Sequence, residues 1–95
     1  MKIVIDEPQR FYCQSDEAHF FEWLNGIESV QDVEGCSAGL IVEIDPAIDR
    51  SDFYDLVGLL NRYGLDCAPL KPICLDHSDD WFRDVNNYWY KSVFE

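Results

Sequence analysis

This chain of 95 residues carries nineteen acidic against seven basic side chains, a formal charge of −12, yet 47% of it is hydrophobic and 15% aromatic. So much apolar material excludes a disordered acidic tail, and so much negative charge argues against a partner that presents phosphates, whether nucleic acid or anionic membrane. No stretch approaches the roughly 20 apolar residues of a membrane-spanning helix, and the length suits one domain, residues 1–95.

The N-terminal run Lys2-Ile3-Val4-Ile5 is β-branched and reads as a first strand. It is too short for a signal peptide and Asp6-Glu7 follows at once, so the chain reads as cytoplasmic. Arg10 to Gln14 resumes an extended aromatic pattern, either as one bent strand or as a hairpin across Asp6-Glu7-Pro8-Gln9. A helix over 16–26 is expected next, with Ser15 as N-cap and Asp16 and Glu17 in the first turn. Phe20, Trp23, Leu24 and Ile27 form its apolar face, His19 lies at the solvent edge, and Gly26 offers a left-handed stop.

Two strands, Ser29 to Val33 and Leu40 to Ile44, flank the turn-rich linker Glu34-Gly35-Cys36-Ser37-Ala38-Gly39 and read as a β-hairpin. A second helix over 51–63 takes Asp49 or Ser51 as cap, carries Phe53, Leu56, Val57, Leu60 and Tyr63 as its stripe, and stops at Gly64. Residues 67–75 hold Pro69 and Pro72 and read as an edge strand. The order β-α-β-β-α-β predicts an α+β fold of the ferredoxin-like, split βαβ kind: an antiparallel sheet with two helices on one face. A C-terminal aromatic segment is added to it, as a helix capped by Asp76-His77-Ser78 or as a short helix and an extension.

Chemistry is sparse. The five glycines make no phosphate loop, and His77 between Asp76 and Ser78 reads as capping rather than as part of a triad. Asp52 with Asp55, or Asp79 with Asp80, could hold a divalent cation in principle. A chain this acidic gives such pairs by composition, and no calcium-loop pattern accompanies them. Cys13, Cys36, Cys67 and Cys74 show no metal-ligand spacing and read as reduced, with Cys36 and Cys67 in settings that suit buried thiols. The expectation is no enzyme, no cofactor and no metal.

What remains is surface. Asp76, Asp79, Asp80 and Asp84 lie among Trp81, Phe82, Tyr88, Trp89 and Tyr90, and Asp49, Asp52 and Asp55 gather at the entry to the second helix. Acids pair with Lys and Arg, and aromatic rings stack on guanidinium, so both clusters suit a basic protein partner. The tail is the first choice of face, with exposed members of Trp81, Tyr88 and Tyr90 as anchors and with Asp79 and Asp80 expected in solvent; the helix entry is second.

In a small acidic chain without an active site, Asp80-Trp81-Phe82-Arg83-Asp84 and Tyr88-Trp89-Tyr90-Lys91-Ser92-Val93-Phe94 resemble the aromatic ends of some bacterial immunity proteins. These are small acidic cytoplasmic proteins encoded beside secreted or contact-delivered toxins. The resemblance is one of size, charge and kind. It implies one-to-one capping of a cognate toxin domain, often a basic nuclease, by a protein that is a monomer or weak dimer when free. The competing readings are a nucleic-acid mimic that regulates a host protein, and a ferredoxin-like regulatory module that binds a ligand.

Overall fold

The computed structural model describes residues 1–8 and 10–95. Strand β1 (Lys2–Ile5) leads to helix α1 (Gln14–Gly26), the hairpin of β2 (Val30–Cys36) and β3 (Gly39–Ile44), and helix α2 (Arg50–Arg62). A 3-10 turn at Ala68–Leu70, helix α3 (Lys71–Asp76), a second 3-10 turn at Asp80–Arg83 and helix α4 (Tyr90–Phe94) complete the chain. The fold is α+β, with an antiparallel three-stranded sheet of order β1-β3-β2.

Alternation sorts the sheet into two faces. Ile3 and Ile5 of β1 stand opposite Val42 and Leu40 of β3, and all four are buried, as is Ile44. On the other face Lys2 stands opposite Glu43 and Val4 opposite Ile41, and Val4 is 43% exposed. Phe20 and Leu24 of α1, and Phe53, Leu56, Val57, Leu59 and Leu60 of α2, join the buried strand residues in one hydrophobic cluster. Burying each such side chain is worth about 1.5–3 kcal/mol.

The hairpin is tighter than its composition suggests. Six turn-prone residues were expected to form the linker, but only Ser37-Ala38 turns; Glu34, Gly35 and Cys36 pair with Ile41, Leu40 and Gly39. Gly39 makes this possible: its φ is +138°, and a Cβ there would overlap the Ile5 carbonyl.

Both helix entries use aspartate. Asp49, one of the two expected caps, enters α2 by accepting the Asp52 N–H at 2.7 Å, and Ser51 lies inside the helix. Helix α1 starts two residues earlier than expected and Ser15 is not its cap; Cys13 holds that position without a side-chain bond, and Asp16 reaches back to the Tyr12 N–H at 3.1 Å. The two helix stops also differ. Gly64 is left-handed at φ +67°, whereas Gly26 does not have a positive φ and ends α1 as its last helical residue.

The expected strand at residues 67–75 is a correction. Pro69 and Pro72 occupy first-turn positions of the Ala68–Leu70 turn and of α3, where a missing N–H costs nothing. They are helix-entry prolines rather than edge-strand prolines. The segment does lie beside β1, but as a turn. Arg10 to Cys13 is likewise not a strand, and the alternative hairpin through Gln9 lies outside the described residues.

The tail forms neither one long helix nor a helix with an extension. Asp79 and Asp84 each accept the N–H two residues on, from Trp81 at 3.0 Å and Asn86 at 2.9 Å, and Asn87 Nδ2 donates to the Trp81 carbonyl at 2.7 Å. Such local bonds compete with helix and win here. The segment folds back so that Phe82, Trp89 and Val93 enter the core, and Phe53 meets Phe82, Trp81 and Trp89 with ring centroids 4.9–6.4 Å apart.

Candidate functional site

The fold joins the two acidic clusters that are far apart in sequence. Arg50, the first residue of α2, donates from Nε to Asp79 Oδ2 at 2.8 Å and from a terminal nitrogen to Asp79 Oδ1 at 3.1 Å. This two-pronged pair holds the guanidinium 5.2 Å over the Trp81 ring. The pairing raises Arg50 above its ordinary pKa; Arg50, and then the Trp81 N–H, hold the Asp79 carboxyl below its own.

Behind this pair stands His77. The Asp79 N–H donates to its Nδ1 at 2.9 Å, so the ring hydrogen lies on Nε2 and is donated to the Ile48 carbonyl at 2.7 Å. The imidazole also stacks on Phe82 at 3.8 Å. His77 thus fastens residues 77–82 to the loop that enters α2. Arg83 adds a second fastening, donating to the carbonyls of Cys74 and His77, both at 2.7 Å, and to Asp80 Oδ1 at 2.6 Å.

Outward from Trp81 lie Tyr54 of α2 and Tyr88. Tyr54 is 5.2 Å from Trp81 and 6.1 Å from Tyr88, whose ring lies parallel to it within 8°. Tyr54 and Tyr88 are exposed, 42% and 66%. The site is therefore an aromatic shelf of Tyr54, Trp81 and Tyr88, bordered by the Arg50–Asp79 pair.

The sequence candidates divide as follows. Asp79, Trp81 and Tyr88 belong to the shelf. Asp79 is not the solvated charge that was expected: its side chain is one-third exposed and is already paired. Asp80 is almost fully exposed and faces Arg83. Asp49, Asp55, Asp76 and Asp84 are exposed, Asp49 as a helix cap and Asp84 as a turn former.

Asp52 turns away from the shelf: its Oδ2 accepts the N–H and the hydroxyl of Ser29 at 3.1 and 2.7 Å, tying the α1–β2 loop to α2. Tyr90 is also elsewhere, stacked on Phe94 at 4.7 Å. Tyr54 was missed because it reads as a helix position off the apolar stripe. Its register toward Trp81 follows only from the tail's fold.

Elsewhere, an open depression of about 720 Å³ is lined by residues that include Arg10, Cys36, Gly39 and Tyr63, and none of the candidates above reaches it. All four cysteines are free; Cys67 and Cys74 are buried, but Cys36, expected inside, is exposed with Cys13. Cys36 is the last residue of β2 and pairs with Gly39 at the turn, which puts it at the sheet's tip. Among the described residues no three His, Cys, Asp or Glu side chains converge as a metal site, and no helix is long and apolar enough to cross a membrane. No protein-family model matches the chain, and no curated protein or solved structure shows significant similarity to it.

Proposed function

We propose that this protein is an immunity-type inhibitor that binds a basic protein, a toxin domain encoded beside it, through the shelf of Tyr54, Trp81 and Tyr88 and its surrounding carboxylates. The observation that carries the reading is the pair of exposed, parallel tyrosines in a chain of charge −12. Large rings left in solvent next to carboxylates are the composition of an interface anchor. Excess charge of one sign draws an oppositely charged partner in from a distance, toward ~10⁸–10⁹ M⁻¹s⁻¹ at low salt. Exposed Asp80, Asp84, Asp49 and Asp55 supply that field, while Arg50–Asp79 and His77 hold the rings in place. We read the sheet order β1-β3-β2 as a ferredoxin-like plan shortened by one strand, with cytoplasmic residence as part of the same proposal.

The test is binding kinetics against the neighbouring toxin domain, together with protection of growth when both are expressed. Tyr54→Ala and Tyr88→Ala are expected to raise dissociation by about 10–100-fold with the fold intact. Asp80→Lys with Asp55→Lys should slow association and flatten its salt dependence. Absence of both binding and growth protection refutes the proposal; binding that ignores all four substitutions moves the interface to another face.

A further inference from the structure

The two edges of the sheet are unlike. The outer edge of β1 is four residues long and lies against the turn at Ala68–Leu70. The other edge is β2, seven residues without proline, and Gln31, Asp32, Glu34, Gly35 and Cys36 on it are all exposed. Among the described residues, no hydrogen bond other than the ladder to β3 reaches residues 31–36. Alternate N–H and C=O groups of β2 therefore face solvent as a template for another strand.

The charge pattern says which strand fits. Asp32 stands directly opposite Glu43, and Glu34 shares that face two residues on. Like charges opposite each other destabilise a sheet. Glu43 is compensated on its β1 side, where Lys2 stands opposite it and the Met1 ammonium lies 3.1 Å from its carboxylate. Asp32 and Glu34 have no ion-pair partner among the described residues. Acidic side chains and the irregular register at Val30/Asp32 protect an edge from pairing with a second copy, since two such edges would set carboxylate against carboxylate. They offer no protection against a cationic strand; they recruit it.

We propose that β2 is a strand-addition site for an extended protein segment with Lys or Arg at alternate positions, whose cations lie beside Asp32 and Glu34. Main-chain hydrogen bonds supply the docking and the two carboxylates the selection. This surface is separate from the Tyr54–Trp81–Tyr88 shelf, and its test does not involve the toxin, so either proposal can fail without the other.

The probes are a blocked nine-residue peptide of alternating lysine and valine, the same peptide with glutamate for lysine, and the lysine peptide N-methylated at alternate residues. Each is titrated into the full chain at ~0.15 M salt, followed by residue-resolved amide hydrogen exchange. Two opposite-charge cross-strand pairs should favour the lysine peptide over the glutamate peptide by about tenfold. N-methylation should abolish the binding, and slowed exchange should appear at alternate amides of 31–36. Asp32→Lys with Glu34→Lys should invert the preference, and their exposure leaves the fold intact. Equal binding of the methylated peptide, slowed exchange away from β2, or no binding overturns the proposal. Slowed exchange of β2 in the peptide-free protein, rising with its concentration, also overturns it by making a second copy the occupant.

Discussion

Replacing Gly39 by alanine tests the geometry on which the hairpin depends. At φ +138° an L-residue sits in a region that costs about 1–3 kcal/mol. The new Cβ also overlaps the Ile5 carbonyl, a backbone atom that cannot swing aside, so β1 and β3 must part near the Ile5–Leu40 pair. Losing one or two ladder hydrogen bonds adds about 0.5–1.5 kcal/mol each. The total, about 2–6 kcal/mol, is a large share of the roughly 5–14 kcal/mol expected for a chain of this length. In urea, with a slope of about 1–1.5 kcal/mol per molar, the midpoint should fall by about 1–6 M. Gly35→Ala is the control, with nothing within 4 Å of its Cβ and no positive φ. Gly64→Ala, at φ +67° but in open space, should fall between them at about 1–2 kcal/mol. A Gly39→Ala midpoint indistinguishable from that of Gly35→Ala would refute the reasoning.

Burial pushes the Cys74 thiol up to about 12 from its ordinary 9.0, so the folded chain keeps a proton that the unfolded chain loses. Stability should be intact below about pH 9 and then fall by about 1.4 kcal/mol per pH unit as pH rises toward the folded value, and Cys74→Ala should flatten that slope in urea melts. Cys13 and Cys36 should react with a thiol reagent at once, and Cys67 and Cys74 only at the rate of opening, giving two fast and two slow equivalents. Because Arg50 holds the Asp79 carboxyl below its ordinary value, the stability this pair contributes is present above the unfolded value near 3.8 and is lost as pH falls through the lower folded value. Arg50→Gln should remove that part of the acid transition, and an unchanged transition would show that the pair is not held in solution.

The sequence was most legible where periodicity and turn chemistry agreed. Both long helices, the first strand and the hairpin follow from the apolar spacing and the Asp49 cap, and the buried alternation of β3 follows from Leu40, Val42 and Ile44. It was least legible after Gly64. Proline marks a sheet edge or a helix start equally well, and only the packing of Leu70, Ile73 and Cys74 against the core selects the helix start. The shelf was half legible: Trp81 and Tyr88 were singled out beside acids and the structure does bring them together around Tyr54, but the pairing of Asp79 with Arg50 joins residues 29 apart and no local pattern encodes it.

The acidic excess has two physical roles that composition cannot separate. Among the described residues, Asp16, Asp45, Asp49, Asp52, Asp66, Asp79 and Asp84 each accept a backbone N–H, seven aspartates that so form the helix entry, turns and loop ties of the chain. A carboxylate in such a bond serves folding first, and lysine in its place would leave a donor facing a donor. Glu17, Glu22, Glu28, Asp32, Glu34, Asp55 and Asp76 are exposed, and their carboxylates accept no hydrogen bond among the described residues. These charges repel one another in the folded chain and hold none of its turns by a hydrogen bond. A basic surface that meets them therefore relieves repulsion without breaking a structural bond. The open β2 edge carries two of this free set, Asp32 and Glu34, and among the acids bordering the tyrosine shelf Asp55 belongs to it, whereas Asp49, Asp79 and Asp84 are engaged in the fold. Charge reversal at the free positions accordingly reports on partners, and charge reversal at Asp49, Asp52 or Asp79 reports first on folding.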